Sequence, residues 1–151
     1  MNLTEDPDVV HWPSTHYVFI EKSGPFLKTA PLAWRELHEF VSRIGESNRI
    51  TGFLSLYKMS PNTYRAGVSL AEPPKDLPAD LAYTRLEGGK YSRFVLTGPY
   101  SLLPEASRRV FEIVSQTELS MRLEYCIVNY ANDPKTTPEE DLVTEILIPT
   151  A

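Results

Sequence analysis

Apolar residues recur along this chain with two periods, and the switches between them map the elements. HYVFIEK (16–22) is rich in β-branched and aromatic residues and predicts a strand. Pro31 then suits the first position of a helix that carries Ala33, Leu37, Phe40, Val41 and Ile44 on one face, the 3.6-residue period of a half-buried helix. ITGFLSLYKM (50–59) and YRAGVSL (64–70) read as strands around the turn SPNT (60–63). AEPPKDLPAD (71–80) is a proline-rich connection. LAYTRLEGGKYSRFVLTG (81–98) reads as a hairpin around Gly88-Gly89. Pro104 opens a second helix with Ala106, Val110, Ile113 and Val114 on one face. LEYCIVNYA (123–131) and LVTEILIP (142–149) are the last strands, joined by NDPKTTPEED (132–141). Residues 1–14 read as a polar N-terminal arm.

The two halves follow the same order and align at a constant offset. SGPF (23–26) and TGPY (97–100) mark the same turn, and Tyr17 and Tyr91 lie 74 residues apart, as do Gly24 and Gly98. One residue is lost after the turn, and the offset becomes 73 for Pro31 and Pro104, Ala33 and Ala106, Arg35 and Arg108, Tyr57 and Tyr130, and Thr63 and Thr136. A constant offset through helix, strand and turn predicts a duplicated strand–helix–strand–strand unit, about 15–80 and 81–151 within a single domain over 15–151. One helix and three strands are too few to bury a core alone. The expected fold is therefore α+β, an antiparallel sheet with two main helices on one face and a cleft on a pseudo-twofold axis.

Composition narrows the function classes. A net charge of −5 argues against a nucleic-acid phosphate surface. The single cysteine, Cys126, forbids an internal disulfide. With no signal-peptide pattern, that predicts a cytoplasmic chain. No apolar run approaches the ~18 residues of a membrane span. His11, His16 and His38 have no metal-ligand spacing with one another or with Cys126, so neither a metal nor a cofactor is expected.

Glu145 is the most informative polar residue. Alternation puts Val143, Glu145 and Leu147 on one face of the last strand, so a carboxylate sits among apolar neighbours. An unpaired carboxylate is costly to bury. Either it points to solvent or pairs with an Arg, or it floors a pocket where it attracts a cation or acts as a base. Tyr57, Tyr91, Tyr130, Trp34 and Phe111 are candidate aromatic walls beside it, suited to cation–π contact, although strands are rich in such residues for packing alone. Glu145 aligns with Gly67, a carboxylate in one half against empty space in the other.

GGKYSRFVLTGPYSLLPEA (88–106), YANDPKTTPEEDLVTEILIP (130–149) and the weaker SGPF…APLAWRELHEFV together resemble the GyrI-like family. Its members are small-molecule-binding domains, also found as effector domains of AraC-type and MerR-type transcription regulators. The resemblance implies a duplicated β-α-β-β fold with a ligand cleft. It implies that Glu145 matches the last-strand glutamate that binds lipophilic cations in multidrug-sensing members, and that Tyr91 and Tyr130 match family aromatic positions. Val128 stands where many members carry a second glutamate. No helix-turn-helix precedes the domain, so a stand-alone form is expected, working alone or through a protein partner such as a regulator or gyrase.

The leading expectation is a small-molecule-binding protein that senses or sequesters a lipophilic ligand, cationic where charged, without direct nucleic-acid or membrane contact. One alternative is a hydrolase of cyclopropane-type electrophiles, with Glu145 as general base and a tyrosine hydroxyl polarising the substrate. Another is a gyrase-modulating interaction protein.

Overall fold

The computed structural model describes residues 1–59, 61–122 and 124–150. Ser60 and Leu123, the first residues of the expected turn 60–63 and the expected strand 123–131, lie outside them. In chain order the elements are β1 (Asn2–Leu3), β2 (Asp8–Trp12), β3 (Thr15–Ser23), α1 (Phe26–His38), α2 (Val41–Ser47), β4 (Ile50–Lys58), β5 (Thr63–Leu70), β6 (Ala82–Leu86), β7 (Gly89–Thr97), α3 (Leu103–Gln116), β8 (Cys126–Tyr130) and β9 (Val143–Pro149). They form two compact units, Pro13–Gly88 and Met1–Trp12 with Gly89–Ala151. Each contains an antiparallel sheet and runs strand–helix–strand–strand, an α+β architecture.

In Pro13–Gly88 the sheet order is β4-β5-β3-β6. Val18 opposes Val68 and Ile20 opposes Ala66, so these four share a face. α1 covers that face. Its Phe26 ring meets Tyr57 at 5.5 Å, and its Glu36 takes a hydrogen bond from the Lys22 ammonium at 2.9 Å. Leu37 and Ile44 are fully buried, each adding about 1.5–3 kcal/mol.

α1 begins at Phe26, directly after Gly24-Pro25, rather than at Pro31. The Pro25 carbonyl accepts from the amides of Lys28 and Thr29 and starts the helix early. Pro31 then lies inside it and forgoes one backbone bond. The single helix expected through Ile44 is broken at Glu39–Phe40 by tight turns onto the Glu36 and Leu37 carbonyls. α2 continues the apolar face from there.

In the second unit β9 lies between β8 and β7. β2 pairs with the first five residues of β7 and β1 with its last two. The expected arm therefore carries two strands. The free edge of β7 supplies unpaired backbone groups, and β2 satisfies them with a register running from Asp8 opposite Arg93 to Trp12 opposite Gly89. The Glu5 carboxylate between the two strands accepts from Arg109 of α3 at 2.7 Å, which holds Glu5 below its usual pKa.

Gly88-Gly89 is a connection, not a hairpin turn. β6 pairs with β3, and β7 pairs with β2 and β9. Positive φ angles of 78° and 139° at the two glycines let the chain pass from one strand to the other. The flanking registers match residue for residue. Thr15–Phe19 oppose Leu86–Ala82, and Gly89–Arg93 oppose Trp12–Asp8, a shift of 74 on both strands.

Candidate functional site

Glu145 sits at the centre of β9, opposite Val95 of β7 and Asn129 of β8. Facing residues of an antiparallel ladder share a side of the sheet, so Asn129, Glu145 and Val95 form one row and Ile127, Leu147 and Arg93 the next. The carboxylate's side chain is 18% exposed. Asn129 donates to its Oε1 at 2.7 Å, and Arg93 donates to Oε2 at 3.2 Å. Arg93 also donates to Asp8 on β2 at 3.1 Å. Two carboxylates thus share one guanidinium. Its Nε is buried without a hydrogen-bond partner among the described residues.

Neither Asn129 nor Arg93 was singled out from the sequence. Parity marks Asn129, the polar residue between Val128 and Tyr130 in its strand, whereas Arg93 follows the polar Ser92 and carries no such signal. Which strand lies beside β9 is not local information.

Among the aromatic candidates, Tyr91 shares the face of Glu145 but lies four residues along β7 from Val95, roughly 13 Å away. The Arg122 guanidinium stands 5.5 Å from its ring centroid. Burial pushes the Tyr91 hydroxyl above its ordinary pKa, reinforced by the nearby Glu124 charge. Tyr130 points to the opposite face from Glu145, because it pairs with Thr144. There it packs edge-on against Tyr100 at 5.3 Å. Phe111 is half-buried on α3.

Tyr57 and Trp34 belong to the other unit. Tyr57 is buried on the α1-covered face against Phe26. The Trp34 indole N–H donates to the Tyr64 hydroxyl at 2.8 Å and approaches the Ser55 hydroxyl at 3.2 Å.

The expected alignment of Glu145 with Gly67 is out by two residues. Leu56, the counterpart of Asn129 at the offset of 73, opposes Arg65, so Glu145 corresponds to Arg65 and Leu147 to Gly67. Nor is the space at Gly67 empty. A Cβ there would lie 2.5 Å from both the Tyr17 ring and the Val18 carbonyl oxygen. The Tyr17 hydroxyl continues past it to donate to the Leu54 carbonyl at 2.8 Å.

Among the described residues no group of three or more His, Cys, Asp or Glu could hold a metal ion, and Cys126, the single cysteine, is buried and in no disulfide. No helix among them is long and apolar enough to cross a membrane.

The fold is shared with solved proteins. The EcmrR C-terminal domain matches with a TM-score of 0.79 at 12% identity, covering 100% of this chain and 99% of that one. SAV2435 bound to tetraphenylphosphonium matches with a TM-score of 0.74 at 19% identity, covering 96% and 93%. A hydrolase encoded by lin2189 from Listeria innocua matches with a TM-score of 0.63 at 11% identity, covering 98% and 93%. At such identities the likeness is one of fold. No curated protein matches in sequence. The model of the GyrI-like small molecule binding domain matches residues 5–151, nearly the whole length, and the chain belongs to that family.

Proposed function

We propose that this domain binds a lipophilic small molecule on the β7–β8–β9 face, with Glu145 as the polar anchor and as counter-ion when the ligand is a cation. The observation that carries this reading is a half-buried carboxylate, mid-strand between Val143 and Leu147, whose cationic partner is shared. Arg93 is already held by Asp8, so Glu145 can exchange the guanidinium for a ligand cation without leaving Arg93 unpaired. A partly buried ion pair gains little over its desolvation cost, so such an exchange is close to balanced. The buried area of an apolar ligand would then drive binding. Tetraphenylphosphonium bound to SAV2435 is the kind of molecule meant. In this role the domain would sense a ligand's concentration or sequester it.

Binding is favoured over hydrolysis because neither Tyr91 nor Tyr130, the candidate tyrosines of this unit, stands beside Glu145 to polarise a substrate. Tyr91 is roughly 13 Å along the strand, and Tyr130 faces the other side. Titration with tetraphenylphosphonium, followed by calorimetry and thermal shift, tests the reading. Glu145→Gln is expected to weaken affinity at least about tenfold, because it removes the counter-charge and keeps the shape. Unchanged affinity in that variant would overturn it.

A further inference from the structure

The two units differ at one backbone edge. In the second unit, the last residues of β7 are closed by the N-terminal segment: Asn2 opposes Thr97, and Leu3 opposes Leu96. The Thr4 amide donates to the Val95 carbonyl at 2.9 Å, and the Val95 amide donates to the Thr4 hydroxyl at 2.8 Å. Val95 therefore turns both backbone groups outward, toward that segment.

At the shift of 74 that relates the flanking registers, Val95 corresponds to Glu21 and Thr4 to Pro78. Proline has no N–H and no hydroxyl, so neither bond can form. The chain instead turns away there, with the Leu81 amide on the Pro78 carbonyl at 3.1 Å. β6 stops at Ala82, opposite Phe19. Among the described residues no strand pairs with this edge of β3 from Ile20 to Ser23, and Glu21 and Ser23 are exposed. A groove of about 420 Å³ runs beside it, bounded by Ala82, Asp80, the α1 side chain Glu36 and Glu39 just past the end of α1.

The groove is acidic. Lys22 neutralises Glu36, and Arg65 neutralises Glu21. Glu39 and Asp80 have no ion-pair partner among the described residues, and both are exposed.

We propose that this edge of β3 is a docking slot for a short extended segment of a basic partner protein. The segment adds as an antiparallel strand, as residues 2–4 do in the other unit. A residue with a free N–H donates to the Glu21 carbonyl, and Lys or Arg on either side meets Glu39 and Asp80. Backbone pairing supplies the binding and the flanking charges the choice of partner. A second copy of this acidic chain fits less well, since its charge of −5 repels the groove.

The test uses the full chain, labelled with ¹⁵N, and the peptide acetyl-Lys-Thr-Val-Thr-Lys-amide. The peptide is expected to slow exchange of the Glu21 amide at least several-fold, with smaller effects on the β7 edge. N-methylation of its valine removes the strand donor and is expected to cost at least about tenfold in affinity. The exposed pair Glu39→Lys and Asp80→Lys is expected to weaken binding by a similar factor at low salt and little at high salt. Three results would overturn the proposal: an unprotected Glu21 amide at saturating peptide, equal binding of the N-methylated peptide, or a dimer in sedimentation that protects Glu21 without peptide.

Discussion

The Arg93 guanidinium bonds the Glu145 carboxylate at 3.2 Å across a diagonal between β7 and β9. The same diagonal in the other unit joins Phe19 and Arg65, with the guanidinium carbon 4.3 Å from the ring centroid. One backbone geometry thus carries a salt bridge in one unit and a cation–π contact in the other. Both tie a half-exposed cation to a strand neighbour. Only the first places a carboxylate on this diagonal.

On the proposed reading, Arg93 would compete with a cationic ligand for Glu145. Arg93→Met is therefore expected to raise tetraphenylphosphonium affinity several-fold, opposite in direction to Glu145→Gln. The double variant should bind like Glu145→Gln alone. Calorimetry on all three measures the coupling, and a weakened Arg93→Met would show that the guanidinium itself contacts the ligand.

Asn129 holds the other oxygen of Glu145 at 2.7 Å. Asn129→Leu removes a bond to a charged acceptor and is expected to cost about 1–3 kcal/mol in urea unfolding. A cost below about 0.5 kcal/mol would mean that the carboxylate turns to water instead.

Gly67 has neighbours 2.5 Å from where a Cβ would stand, one of them the Val18 backbone oxygen. Backbone cannot rotate aside as a flexible side chain can, so Gly67→Ala is expected to destabilise by about 1–3 kcal/mol. Tyr17→Leu in the same background removes the ring and should lessen the extra cost. Additive losses would locate the strain at the backbone contact alone.

The indole of Trp34 reaches the hydroxyls of Tyr64 and Ser55, which bond each other at 2.6 Å. Tyr64→Phe removes the shared hydroxyl and is expected to cost about 1–2 kcal/mol. The Trp34 emission should shift as well, and an unchanged spectrum would argue that Ser55 alone satisfies the indole.

Burial raises Tyr91 above the ordinary value of 10.0 in the folded chain. The folded state therefore keeps that proton to higher pH than the unfolded state. The associated stability is full below pH 10 and lost as pH rises through the folded pKa. Tyr91→Phe should flatten the loss of stability above about pH 10. An equal slope in both proteins would assign the loss to other groups, Tyr100 among them, whose pKa is also raised by burial.

Much of the architecture was legible in the order of the residues. The strand-like runs at 16–22, 50–59, 64–70 and 142–149 became β3, β4, β5 and β9 with small changes at the ends. The apolar face of Ala106, Val110, Ile113 and Val114 became the buried side of α3. Alternation also placed Glu145 on the same face as Val143 and Leu147. These signals are local, because a strand or helix must present its apolar side to something whatever that something is.

What lay beyond reach was pairing. Asp8–Trp12 reads as polar arm because its value lies in the edge it closes, far along the chain at Arg93–Gly89. Gly88-Gly89 looks like a hairpin because two strands flank it, yet each strand takes a different neighbour. The partners of Glu145 come from positions 93 and 129, and the opposed directions of Glu145 and Tyr130 follow from one register. The sequence by itself determined which residues must be buried and where strands and helices run. Only the tertiary structure decided which edges meet and in what register, because backbone hydrogen bonds are the same at every position and carry no residue identity.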